Sequence, residues 1–335
     1  MPPPTDTNGA PVDPNLPSIA VLADPWARRP VRLNGPLERT SVDPATLGFV
    51  TGLLGLGAAF ILFQFLVTPV VLVAQIVVAE GGMSSLESLR DPAQLMEAYT
   101  RELILSNSVG QVLGLAVPAL LAARLHSRQL LSYLRIRGVD GRMLLLAAIG
   151  VIGLQPVVQW LAQVNQALPL PESIRMLEQS QLEMIQKVLE GDLGLGFNVV
   201  MLALVPAVCE EVLFRGYAQR QFERASGAAG GILLSGLLFG LYHLRPSQFL
   251  PLAVIGLFLA YLTWRTGSLW PAVLVHLLHN GTAVVLAHVA QQRPDLDMER
   301  LEAMPLPWYW VVGGFVIVGG VLYVLDPLAR RLQTE

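Results

Sequence analysis

Three short patterns in the second half of the chain carry the side chains able to move protons. The stretch CEEVLFRG holds Glu210, Glu211 and Arg215, Phe239 precedes His243 by four residues, and His276 precedes Asn280 by four. Residues four apart share a helix face, so each pair points one way if its segment is helical. At about 100° per residue, Glu211 stands on the face of Arg215 while Glu210 is rotated about 140° from it. Glu211 is therefore expected to pair with Arg215, which leaves Glu210 free to face a cavity.

These patterns sit on strongly apolar segments. The 335 residues are 53% hydrophobic and 14% charged, against about 45–50% and about 25% for soluble domains. Because a crossing takes about 20 apolar residues, the expected fold is an all-α, polytopic transmembrane helix bundle of about eight membrane-spanning helices. They are placed near 47–79, 103–123, 143–164, 193–219, 230–244, 249–264, 268–287 and 307–328. With the N-terminus inside, the inside segments hold 14 of the Lys and Arg residues and the outside loops seven, the bias expected of cytoplasmic loops. Both termini are then cytoplasmic. One lysine against 21 arginines is compatible with a GC-rich genome, which makes a bacterial inner membrane the expected location. A net charge of −3 gives no basic excess for nucleic acid. The single cysteine, Cys209, excludes an intrachain disulfide and reads as a packing residue rather than a nucleophile.

The chain divides into four expected regions. Residues 1–46 hold ten of the 24 prolines and no sustained apolar periodicity, so they are expected to form a disordered Pro-rich cytoplasmic tail. Residues 47–192 supply the first transmembrane helices and an outside loop. In that loop Ile174, Leu177, Leu182, Ile185 and Leu189 recur at helical spacing, which predicts a helix lying at the membrane interface or packed over the bundle. Residues 193–290 form the core that holds the polar patterns. Residues 291–335 supply an outside loop, the last crossing and a short cytoplasmic tail.

A charge at the bilayer centre costs about 2.5–3.5 kcal/mol, so three within two turns require a function. At 1.5 Å per residue, Glu210 lies about 14–18 Å from the inside end of its segment, His243 about 20 Å and Asn280 about 18 Å. One polar layer can therefore form across three helices. Pro206, one turn before Glu210, predicts a kink, and Gly236 and Gly240 predict a close helix contact. Asn280-Gly281-Thr282 matches a glycosylation sequon, but within a membrane span it cannot serve as one.

Glu210-Glu211-x-x-x-Arg215, Phe239-x-x-x-His243 and His276-x-x-x-Asn280, in that order on successive apolar segments and with Trp270-Pro271 just before the last, resemble the intramembrane CAAX-prenyl-protease and bacteriocin-processing family. The resemblance spans about residues 195–290. It implies a membrane endopeptidase whose substrate is a membrane-associated protein or peptide, prenylated or a bacteriocin-like precursor. Peptide hydrolysis needs an activated water, a stabilised oxyanion and a proton for the leaving amine. On the resemblance, Glu210 is the general base, His243 helps hold the water, His276 and Asn280 donate to the oxyanion, and Glu211, Arg215 and Phe239 support them.

Metal-free activation, with no cofactor required, is the favoured expectation. The alternative is zinc held by Glu210, His243 and His276, since family members are discussed both as glutamate-activated and as metal-dependent and no HExxH pattern decides between them. His279, about 60° around the helix from His276, is the alternative imidazole. Two rivals remain outside catalysis: a membrane immunity or scaffold protein, and a proton-coupled transporter using the same layer. Clustering in one layer argues against a relay across the bilayer.

Overall fold

A computed structural model describes residues 21–22, 24–26, 30–80, 95, 98–167, 169–190, 193–293 and 306–334. The expectations that fall on residues 1–20, and on parts of the loops at 81–97 and 294–305, lie outside the described residues. Among the described residues seven helices are long and apolar enough to cross a membrane: α1 (Pro44–Ala79), α2 (Thr100–His126), α3 (Gly141–Gln166), α5 (Leu195–Tyr242), α6 (Pro246–Thr266), α7 (Trp270–Gln292) and α8 (Trp308–Thr334). An amphipathic helix, α4 (Glu172–Glu190), lies between α3 and α5.

Helix α5 accounts for two crossings. Gly227 adopts φ 72° and ψ 178° in its middle, a conformation that only glycine takes without strain, and the chain doubles back there. A Cβ on Gly231 would meet Glu223 Cγ at 2.4 Å, and the Phe214 ring packs edge-on against Phe239 and Tyr242 at 5.2 and 5.1 Å. Partners equidistant from Gly227 define two antiparallel arms, 195–226 and 228–242. Counting both arms separately gives eight apolar helical segments, against seven continuous helices long enough to cross. The second arm, about 22 Å long, is shorter than the hydrocarbon core of about 30 Å.

Prolines explain three departures from regular α geometry. Thr68, Val117 and Val205 each donate their N–H to the carbonyl five residues back, Phe63, Val112 and Val200, and each immediately precedes a proline, Pro69, Pro118 or Pro206. A proline lacks an N–H and its ring collides with the carbonyl one turn earlier. An extra residue in that turn moves the carbonyl aside. The kink expected at Pro206 is thus realised as a widened turn over Val199–Leu204.

The N-terminal stretch requires a correction. From residue 30 to 46 the chain is packed rather than structureless: Val31 is fully buried, the strand Val31–Arg32 pairs antiparallel with Val21–Leu22, and Asp43 caps α1 by accepting from the N–H groups of Ala45 and Thr46. Acidic side chains pin this segment to the bundle. Asp24 bridges Arg220 at 2.6 Å and Arg137, while Glu38 joins Arg224 at 2.9 Å and His126. Burial opposes ionisation of Asp24, but the Arg220 and Arg137 guanidiniums outweigh it and pull its pKa to about 2. A Pro-rich segment without periodicity has no core of its own, and here its order comes from partners about 90 or more residues away in the chain.

Helix α4 rests on the bundle. Glu178, buried on its inner face, accepts the N–H of Ser247 at 2.8 Å in the first turn of α6. This contact favours the packed reading of the amphipathic segment over one floating at the interface. At the other end of the molecule Trp26 and Leu332 border one cavity, so the described ends of the chain meet on one face.

Candidate active site

Helix α5 sets the site because the middle of its first arm, residues 211–222, is buried throughout. Phe214, Arg215, Tyr217 and Phe222 are each no more than 2% exposed. On it, Glu211 and Arg215 form the expected ion pair, Oε1 to Nη1 at 2.9 Å, with neither side chain exposed. Arg215 is held three ways: its Nη2 donates to the Gly256 carbonyl at 2.9 Å and its guanidinium lies 4.4 Å from the centroid of the Phe239 ring. The turn that carries Arg215, Val212–Ala218, is widened like the three ahead of prolines, with the Gln219 N–H reaching the Phe214 carbonyl. No proline stands there to cause it, and widened turns of this kind concentrate at functional sites.

Glu210 points elsewhere. Its carboxyl is 14% exposed and lies 4.0 Å from His276 Nε2, while the other ring nitrogen, Nδ1, sits 2.9 Å from Glu211 Oε1. His276 therefore stands between the two glutamates. With Nδ1–H donated to the Glu211 carboxylate, the ring is fixed in orientation and its Nε2 edge faces Glu210.

Phe239 forms the wall of this cluster. Its ring meets Arg215 on its face, His243 at 4.9 Å and His276 at 5.7 Å between centroids. His243 follows the last turn of α5, and its Nδ1 lies 2.8 Å from the Phe239 carbonyl. Donation from Nδ1 leaves Nε2 of His243 as an acceptor. Asn280 is half-buried one turn beyond His276 on α7. His276, rather than His279, is the imidazole that reaches both glutamates.

Close backbone approach makes the Arg215 contact with α6 feasible. A Cβ on Gly256 would fall 2.6 Å from the Gly236 carbonyl oxygen, and one on Gly236 would fall 2.7 Å from Leu257 atoms. Gly240 likewise sits against Ala253 and Phe249 backbone at 3.0 Å. The close contact expected of Gly236 and Gly240 is thus with α6. Gly256 and the half-buried Tyr242, whose shielded hydroxyl has no hydrogen-bond partner among the described residues, were not anticipated. The partner of Arg215 is a backbone carbonyl, which no side-chain pattern signals.

Zinc would need three of these donors converging. Among the described residues no group of three or more His, Cys, Asp or Glu side chains is placed to hold a metal ion; with Nδ1 of His243 engaged by a carbonyl and that of His276 by Glu211, the ring nitrogens left for any ligand are the two Nε2 atoms. Cys209 is buried and free.

An all-α bundle of membrane-crossing helices, holding two glutamates, an arginine and two histidines in one internal layer, defines an integral membrane protein with a polar cluster in its interior. Residues 193–282 match the family model described as type II CAAX prenyl endopeptidase Rce1-like, a family of CAAX-type intramembrane proteases. All three residue patterns fall inside the matched segment, and the resemblance drawn from them agrees with it. No curated protein and no solved structure matches the chain.

Proposed function

We propose that the layer hydrolyses a peptide bond in a membrane-associated protein or peptide, with Glu210 as the group that activates water. The asymmetry of the glutamate pair carries this reading. Glu211 is committed to Arg215 and His276, whereas Glu210 keeps a partly accessible carboxyl 4.0 Å from His276 Nε2. That separation exceeds a hydrogen bond and leaves room for a reacting group between them.

Each side chain then has one task. Glu210 takes a proton from water as the water oxygen attacks the carbonyl carbon, and returns it to the amine as the C–N bond breaks. Nε2 of His243 accepts the second hydrogen bond of the attacking water. His276, its Nδ1–H held by Glu211, donates from Nε2–H to the oxyanion when both ring nitrogens are protonated, and the Asn280 carboxamide adds a second donor. Arg215 neutralises Glu211 and fixes it. The arginine-rich face, where both described chain ends meet, is the cytoplasmic one on this reading.

The test is single-turnover cleavage of a quenched membrane-peptide library by the purified full chain in detergent. Wild type, Glu210→Gln and chelator-treated wild type run in parallel, with bound zinc quantified. Cleavage lost in Glu210→Gln and kept with chelator supports the proposal. Full activity in Glu210→Gln removes Glu210 as the base, and loss with chelator reversed by zinc replaces this mechanism with a metal-dependent one.

A further inference from the structure

Arginines turned into the bundle at the cytoplasmic end are neutralised: Arg135 by Glu223, Arg137 and Arg220 by Asp24, and Arg224 by Glu38. Others at the same end have no such partner among the described residues, Arg32, Arg39, Arg124 and Arg128 included. Arg39, Arg124 and Arg128 are exposed and pair with no carboxylate among the described residues, yet all three line one cavity of about 350 Å³ together with Asn34, Gly35 and Leu125.

The cavity has a rigid frame. Gly35 donates its N–H to the His126 carbonyl at 2.9 Å, and a Cβ on Gly35 would come within 2.0 Å of the Leu125 carbonyl oxygen. Asn34 Oδ1 accepts the Arg128 N–H at 2.9 Å. Glu38, beside Arg39 in sequence, is spent on Arg224 and His126, so it does not cancel the charge. Three exposed arginines thus line one cavity with no carboxylate among its lining residues, a basic cluster suited to an anion.

Position indicates which anion. Leu121, Arg124 and Leu125 share one face of α2 at i, i+3 and i+4, and the two leucines are 61% and 44% exposed. On a membrane-crossing helix such leucines meet acyl chains. The cavity thus opens where the lipid-facing stripe ends, at the depth of phospholipid phosphates, on the side where anionic lipids attract basic clusters. We propose that this cavity binds the phosphate-bearing headgroup of an anionic phospholipid, with its acyl chains along Leu121 and Leu125. A bound lipid would also secure the 30–46 segment to α2 beside the Glu38 bridge.

Native mass spectrometry of the full chain in detergent tests this, with phosphatidylglycerol, phosphatidylcholine and inorganic phosphate as separate probes. The wild type is expected to retain phosphatidylglycerol over phosphatidylcholine, and each of Arg39→Gln, Arg124→Gln and Arg128→Gln to weaken that retention about fivefold. Arg330→Gln, an exposed arginine outside the cavity, is expected to leave it unchanged. Equal retention of both lipids, or equal loss in Arg330→Gln, overturns the site. Competition by inorganic phosphate at the concentration of the lipid overturns the lipid as its source. Since the substituted arginines are exposed, single variants keep the test decisive should a triple variant fail to fold.

Discussion

His276 and Glu211 are joined by a hydrogen bond of 2.9 Å through Nδ1, although 65 residues separate them in the chain. The same Glu211 oxygen also receives Arg215. One buried carboxylate therefore orients an imidazole and balances a guanidinium, and the neighbouring Glu210 is released from both duties.

Glu211→Gln should lower kcat while leaving substrate affinity nearly unchanged, because Glu211 acts through His276 and not on substrate. A loss of about 10²-fold is expected from misorienting one hydrogen-bonding group. Steady-state cleavage kinetics check this, and a change confined to KM would contradict the positioning role.

Arg215→Met should unfold the protein more easily. It strips the partner from a carboxylate with no exposed surface, and breaking a buried pair on one side costs about 3–5 kcal/mol. Thermal unfolding in detergent measures it. Glu210→Gln, at a partly exposed group outside that pair, should leave the midpoint almost unmoved.

Gly256→Ala should damage both stability and activity. Its Cβ would stand 2.6 Å from the Gly236 carbonyl oxygen, so the second arm of α5 and α6 must separate, at a cost of about 1–3 kcal/mol. That separation also pulls the Gly256 carbonyl from Arg215. An Ala substitution at Gly57, where a Cβ meets nothing within 4 Å, is the matched control and should behave as wild type.

Acid should loosen the N-terminal segment. The folded pKa of Asp24 is lowered from 3.8 to about 2, so its ionised form contributes stability that is fully present above about pH 4 and lost as pH falls through 2. Comparing unfolding midpoints of wild type and Asp24→Asn across pH 5 to pH 2 isolates this contribution. The difference should shrink with acid, and a constant gap between the two curves would refute the assignment.

Much of this architecture was legible in sequence because a bilayer imposes a simple rule: every long apolar stretch must satisfy its backbone internally as a helix. The crossings, the Glu211–Arg215 pair at helical spacing and the common depth of the polar residues all follow from rise and periodicity along one chain. The 30–46 segment was misread for the converse reason. Its order rests on Asp24 and Glu38 meeting Arg220, Arg224 and His126, and nothing local marks a carboxylate as destined for a distant guanidinium.

Sequence alone determined the membrane class, the apolar helical segments and the candidate residues of the polar layer, since these depend on composition and on spacing within single helices. Only the tertiary structure decided that Gly227 reverses α5, that Gly236 and Gly256 let α6 approach Arg215, and that His276 rather than His279 stands between the two glutamates. Those relationships are set by how helices cross and rotate against one another. Crossing geometry depends on the fit of two surfaces, and neither surface is written in the pattern of the other.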